Sequence, residues 1–196
     1  MNSKFPKILL CFLILFYILT YINPYDVHVW WVEMTSVLFV TLLLVITYPK
    51  FKFSNASYII VSLWLILHAI GAHYSFERVP FDVITKYFGF ERNHFDRFAH
   101  FIIGMNSFGV AEFFLRTKRV TSVKVAAFIG VIFIMALANF WELLEWIYAV
   151  VDGGDVGVAF LGSQGDVWDA QKDMLADTLG SILGVMIFMF LNREKK

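Results

Sequence analysis

One cysteine, Cys11, stands in the whole chain, inside an apolar run, so no intramolecular disulfide and no cysteine-based metal site can form. Charge is nearly as scarce. Asp, Glu, Lys and Arg make up 16% of the 196 residues, against about a quarter in soluble globular domains, which argues against a soluble enzyme. The two signs balance at 16 residues each, leaving no bulk field to attract nucleic acid. The H-E-x-x-H, G-x-S-x-G and C-x-x-C patterns are missing too, and with them the common zinc-protease, serine-hydrolase and thiol-redox signatures. No internal repeat, low-complexity tract or linker divides the chain, and its length fits a single domain over residues 1–196.

What is abundant is apolar surface. With 59% hydrophobic and 18% aromatic residues, the chain would collapse or enter lipid rather than stay disordered. Apolar runs near the length of a bilayer span recur at residues 8–22, 29–48, 55–72, 95–115, 123–151 and 168–191. They are continuous rather than alternating, which fits helices and not a β-barrel. The fold class is therefore all-α: a polytopic membrane protein of about six transmembrane helices in one bundle. The first run follows Lys4 and Lys7 as a secretory signal would, but bulky residues around Tyr21 and Ile22 offer no cleavage site, so it reads as an uncleaved anchor.

Basic residues set the expected orientation. Lys4, Lys7, Lys50, Lys52, Arg116, Lys118, Arg119, Lys124, Arg193, Lys195 and Lys196 fall on one side, and Arg78, Lys86, Arg92, Arg97 and Lys172 on the other. Both termini are thus expected in the cytoplasm, with the connections at about 73–94 and 152–167 facing outward. All five histidines, and every acid except Glu112 and Glu194, fall in the outward half. Glu112, four residues before Arg116, reads as a solvated helix pair. Trp30, Trp31, Trp141, Trp146, Trp168, Tyr148 and Tyr25 read as an aromatic belt at the outer boundary. The glycines from Gly153 to Gly157, with Gly162 and Gly165, read as an outward turn.

Ionisable groups inside a span cost about 2.5–3.5 kcal/mol each at its centre and mark function by default. Counting about 1.5 Å per residue from each cytoplasmic helix end, Glu33 lies about 26 Å up and His68 about 20 Å. His100 lies about 24 Å up, Asn139 and Glu142 about 22 and 27 Å, and Asp177 about 23 Å. Five helices thus place polar groups in one outer layer. Asp96 and His100 stack on one face, as do Asn139, Glu142 and Glu145. On the last helix Asp166, Asp169, Asp173 and Asp177 form a stripe that Gly180 and Gly184 continue, an acidic face with a smooth end for close packing. His73 would join the layer only through a bend near Gly71.

Three blocks carry a resemblance. They are Arg92-Asn93-His94-Phe95-Asp96-Arg97-Phe98-Ala99-His100-Phe101, then Asn139-Phe140-Trp141-Glu142-Leu143-Leu144-Glu145-Trp146, and the stretch from Leu161 through Gly165-Asp166-Val167-Trp168-Asp169 to Lys172-Asp173-Met174. Together they resemble the YjdF-type bacterial inner-membrane proteins, a multi-pass family without an assigned activity, which implies an inner-membrane location. More loosely, Asp96-Arg97-Phe98-Ala99-His100-Phe101, Glu142-Leu143-Leu144-Glu145 and Asp173-Met174-Leu175-Ala176-Asp177-Thr178-Leu179-Gly180 resemble VanZ-like membrane proteins, with Asp177 where that pattern carries Asn. The VanZ-like likeness implies a setting in the cell envelope.

Three functions stay open. In a binding or structural role in the envelope, the polar layer holds helices or a lipid headgroup. In an enzyme acting on a lipid or envelope precursor at the outer leaflet, His100, Glu142 and Asp177 are the catalytic candidates, and His100, Glu142, Glu145, Asp173 and Asp177 would hold a divalent metal or act as acid and base. Oxygen donors with an imidazole suit zinc, manganese or iron better than copper. In a small proton-coupled carrier, paired carboxylates would share a proton. The lipid bilayer is the one partner common to all three, and oligomeric state is not encoded in any motif. Reporter fusions test the orientation: after Lys196 or within residues 50–55 they should read cytoplasmic, and within residues 76–90 outward. An outward C-terminus overturns it.

Overall fold

The computed structural model describes residues 4–152, 161 and 163–193, so the expected glycine turn from Gly153 to Gly157, with Gly162, lies outside the described residues. The described chain is all-helical. It runs α1 (Phe5–Tyr21), α2 (Val27–Thr47), α3 (Asn55–Tyr74), a 3-10 turn (Phe76–Arg78), α4 (Asp82–Phe88), α5 (Phe95–Gly104), α6 (Ser107–Arg116), α7 (Val123–Asp152) and α8 (Asp169–Leu191). Five stretches are long and apolar enough to cross a membrane: α2, α3, α5 with α6, α7 and α8. The 17-residue α1 is apolar but shorter. Large apolar side chains such as Phe39, Phe128 and Phe190 are exposed along these helices, as lipid-facing residues must be.

The chain divides after Ala99 into two compact units. In the first, α3 packs against both α1 and α2. Met34, Val37, Leu65 and Ala69 are fully enclosed there. Side-chain oxygens start the helices: Asp26 accepts from the amides of His28 and Val29 at 2.7 and 3.1 Å, and Ser54 accepts from Ser57 at 3.3 Å. His73 is diverted from the polar layer. Its Nδ1 donates to the Thr20 carbonyl at 2.9 Å, while its own carbonyl accepts from Tyr25 at 2.8 Å, tying the α1–α2 turn to the end of α3. Trp30, expected in an interfacial belt, is instead buried, its Nε1 donating to Thr20 Oγ1 at 3.4 Å. Trp31, Trp146, Trp168 and Tyr25 are exposed as a belt requires.

In the second unit α6, α7 and α8 pack pairwise. The span expected to run unbroken over residues 95–115 is interrupted at Met105 and Asn106. There, three-residue turns replace the helical bonds: Asn106 N donates to Ile103 O at 2.9 Å and Phe108 N to Met105 O at 3.1 Å, while Asn106 Nδ2 also donates to Ile103 O at 2.9 Å. Backbone this irregular survives at membrane depth only where protein satisfies it. The last helix supplies that surface. Ser107 Oγ, fully enclosed, donates to the Ser181 carbonyl at 2.7 Å. A Cβ on Gly104 would collide with the Asp177 carbonyl, and one on Gly180 with the Phe101 carbonyl. One on Gly184 would sit 2.5 Å from Met105 O and Ser107 Oγ.

Glu112 departs from its expected setting. It is buried rather than solvated, with Arg116 holding its carboxylate one turn on. A side chain at Gly184 has nowhere to go, so Gly184→Leu should destabilise by about 1–3 kcal/mol through overpacking. Its neighbour Val185 is also buried, so the exposed Met186 is the proper control. Met186→Leu should stay within about 0.5 kcal/mol of wild type. Equal thermal midpoints for the two variants in detergent would remove the packing role of the stripe.

Candidate functional site

The acidic stripe of α8 does face inward. Asp169, Asp173 and Asp177 are buried, the last two only 3% and 2% exposed, and Gly180 and Gly184 continue the same face into the helix contacts just described. His100, in the second turn of α5, is buried opposite it and donates from Nδ1 to Asp177 Oδ2 at 2.8 Å. A carboxylate can only accept here, so the bond selects the imidazole tautomer protonated at Nδ1, or the imidazolium. Any further role of the ring then runs through Nε2. A carboxylate oxygen of Asp173 and a ring nitrogen of His100 lie within 4.8 Å of each other. Asp96 sits one turn before His100 on the same helix and so shares its face.

The start of α5 is anchored from its own side. Asn93 Oδ1 accepts from Phe95 N at 2.9 Å, and its amide donates to the carbonyls of Val79 and Glu77 at 2.7 and 3.1 Å. Phe95 packs its ring against Phe76 and Phe81. Lys172 pairs with Asp166 at 2.6 Å, which takes the outermost acid of the stripe into a surface ion pair.

Glu33 and His68, expected in the same layer, form a second buried pair inside the first unit. His68 Nε2 lies 3.0 Å from Glu33 Oε2 and 3.3 Å from Ser36 Oγ. Trp64 and Phe76 close over the ring, edge-on. On α7, Glu142 and Glu145 are half-buried and continue the line of the buried Ala138 at four and seven residues. Asn139 does not join the layer. It is exposed, because it stands one residue, about 100°, round from Ala138 on the packed face. Sequence reasoning missed Ser36 and the Ser107–Ser181 link. Their spacings, Ser36 three after Glu33 and Ser181 four after Asp177, place them on the stripes already recognised.

The family follows from comparison with known proteins. Residues 5–194 match a family described as "Predicted membrane protein (DUF2238)". The chain belongs to that family. It is also 32% identical over 176 residues to the inner membrane protein YjdF of Escherichia coli strain K12, covering 89% of this chain and 84% of the relative. No solved structure matches. The resemblance read from the three sequence blocks is thereby established, and it brings a multi-pass membrane protein without a reaction attached.

The Glu33–His68 pair has a measurable consequence. Replacing Glu33 by Gln and His68 by Ala, singly and together, should reveal a coupling of about 0.5–1.5 kcal/mol in unfolding free energy, as double-mutant cycles give for interhelical polar pairs in membranes. Additive single effects would reduce the pair to a contact without energetic weight.

Proposed function

We propose that this chain is a multi-pass binding protein of the bacterial inner membrane, its termini on the cytoplasmic side, and that its binding centre takes a divalent cation. The observation that carries the reading is the 2.8 Å bond from His100 Nδ1 to the buried Asp177, with Asp173 buried alongside. Proteins orient a metal-binding imidazole by holding its other nitrogen on a carboxylate, which fixes the ring and raises its basicity. Asp177 supplies that hold. His100 Nε2 and Asp173 are then the proposed donors, and the half-buried Glu142 and Glu145 of α7 are the further oxygen donors this reading would draw on. One imidazole among carboxylates suits zinc, manganese or iron. Burial on one inward stripe explains why charge this costly is kept within a span.

The same bond favours one second reading, an enzyme acting on a lipid or envelope precursor. With Asp177 orienting it, His100 Nε2 would serve as a general base. Titration of the purified protein with Zn²⁺ or Mn²⁺ separates the two. The binding reading expects about one ion per chain, lost in Asp173→Asn and His100→Ala, and weakened about 10–100-fold in Asp177→Asn. Binding of equal strength in wild type and all three variants, or none in any, overturns it.

A further inference from the structure

A different part of the molecule has the makings of a second binding site. Between α1, α2 and α3 of the first unit lies a cleft of about 210 Å³. Its walls are Leu10 and Leu13 of α1, Leu44 of α2, and Val61 and Leu65 of α3, and Lys7 and Tyr48 line it as well. Lys7 stands in the first turn of α1, Tyr48 just past α2, and Tyr58, a third polar lining residue, in the first turn of α3. From these residues to the innermost lining residues, Leu13, Thr41 and Leu65, each helix advances six or seven positions, about 10 Å. The cleft therefore runs lengthwise from one end of the unit into its interior, with Lys7, Tyr48 and Tyr58 towards one end and walls that are mostly aliphatic, apart from Ser62 and Thr41, within.

Charge at the mouth has one sign. Lys4, Lys7, Lys50 and Lys52 all belong to this end, and Lys52 stacks over the Tyr48 ring at 5.3 Å. Every acid of the unit, from Asp26 and Glu33 to Glu77, Asp82, Glu91 and Asp96, lies beyond the other end of α1 or within the far half of α2 and later segments. The size rules out a protein helix, which is about 10–12 Å across with its side chains. An apolar cavity of about 150 Å³ holds one benzene, so this cleft has room for a stretch of a single hydrocarbon chain.

We propose that the cleft seats one acyl chain of an anionic phospholipid, whose headgroup phosphate is held by Lys7 at the lysine-bearing end. The site is independent of the cation centre. Native mass spectrometry of the full-length protein, relipidated with dioleoylphosphatidylglycerol or dioleoylphosphatidylcholine, tests it. Wild type should retain one phosphatidylglycerol per chain in preference to phosphatidylcholine. Lys7→Gln should weaken that retention about fivefold, as expected for loss of one cation facing an anionic lipid, and weaken retention of phosphatidylcholine, whose choline offsets its phosphate, by less. Val61→Phe, at a half-buried lining position, should lower retention of both lipids by filling the cleft while the thermal midpoint holds. Retention with no headgroup preference, or unmoved by both substitutions, would overturn the proposal and leave a shell of ordinary bilayer lipid. A second copy of the chain retained in place of lipid, and lost in Val61→Phe, would overturn it equally.

Discussion

The second unit depends on how closely α8 approaches the α5–α6 junction. At Gly104, Gly180 and Gly184, backbone meets backbone with no room for a Cβ. Lipid tails are as apolar as leucine, so helices in a membrane gain little from hiding apolar surface and associate through packing and interhelical hydrogen bonds. The glycines permit the contact, and the Ser107–Ser181 bond and the His100–Asp177 bond are the polar interactions it brings into range. The break at Met105 and Asn106 belongs to the same arrangement. At the break Ile103 and Met105 carbonyls accept from Asn106 and Phe108, and Ser107 reaches across to the Ser181 carbonyl, so protein satisfies the interrupted backbone.

Both units use the same device, an imidazole paired with a carboxylate away from water. In the first, Glu33 and His68 are closed over by Trp64 and Phe76, with Ser36 at hand, a setting that serves packing. In the second, the partner of His100 lies on a stripe of three buried acids, Asp169, Asp173 and Asp177. That contrast separates the structural pair from the candidate binding centre.

The cleft proposed for lipid, with Lys7 in its lining, lies in the first unit, and the proposed cation centre is built on α5 and α8. The first is apolar with cations at its mouth, and the second is acidic around one imidazole. Their chemistries select opposite ligands, so each proposal stands or falls separately.

Much of this was legible in the chain itself. Apolar runs of span length determine membrane helices, because lipid leaves the backbone no alternative to internal hydrogen bonds. The inward face of α8 was equally determined, since Asp169, Asp173, Asp177, Gly180 and Gly184 recur at helical spacing and share a side wherever the helix is placed. Partner choice was not. Depth counting put Glu33, His68, His100, Glu142 and Asp177 in one layer, and depth says nothing about rotation or neighbours. Only the tertiary structure decided that Glu33 meets His68, that His100 meets Asp177, that His73 is spent on a turn and that Asn139 stays exposed. Those outcomes depend on helix rotation and on the broken α5–α6 span, which come from close contacts between segments far apart in sequence, whereas helix formation and periodicity are local.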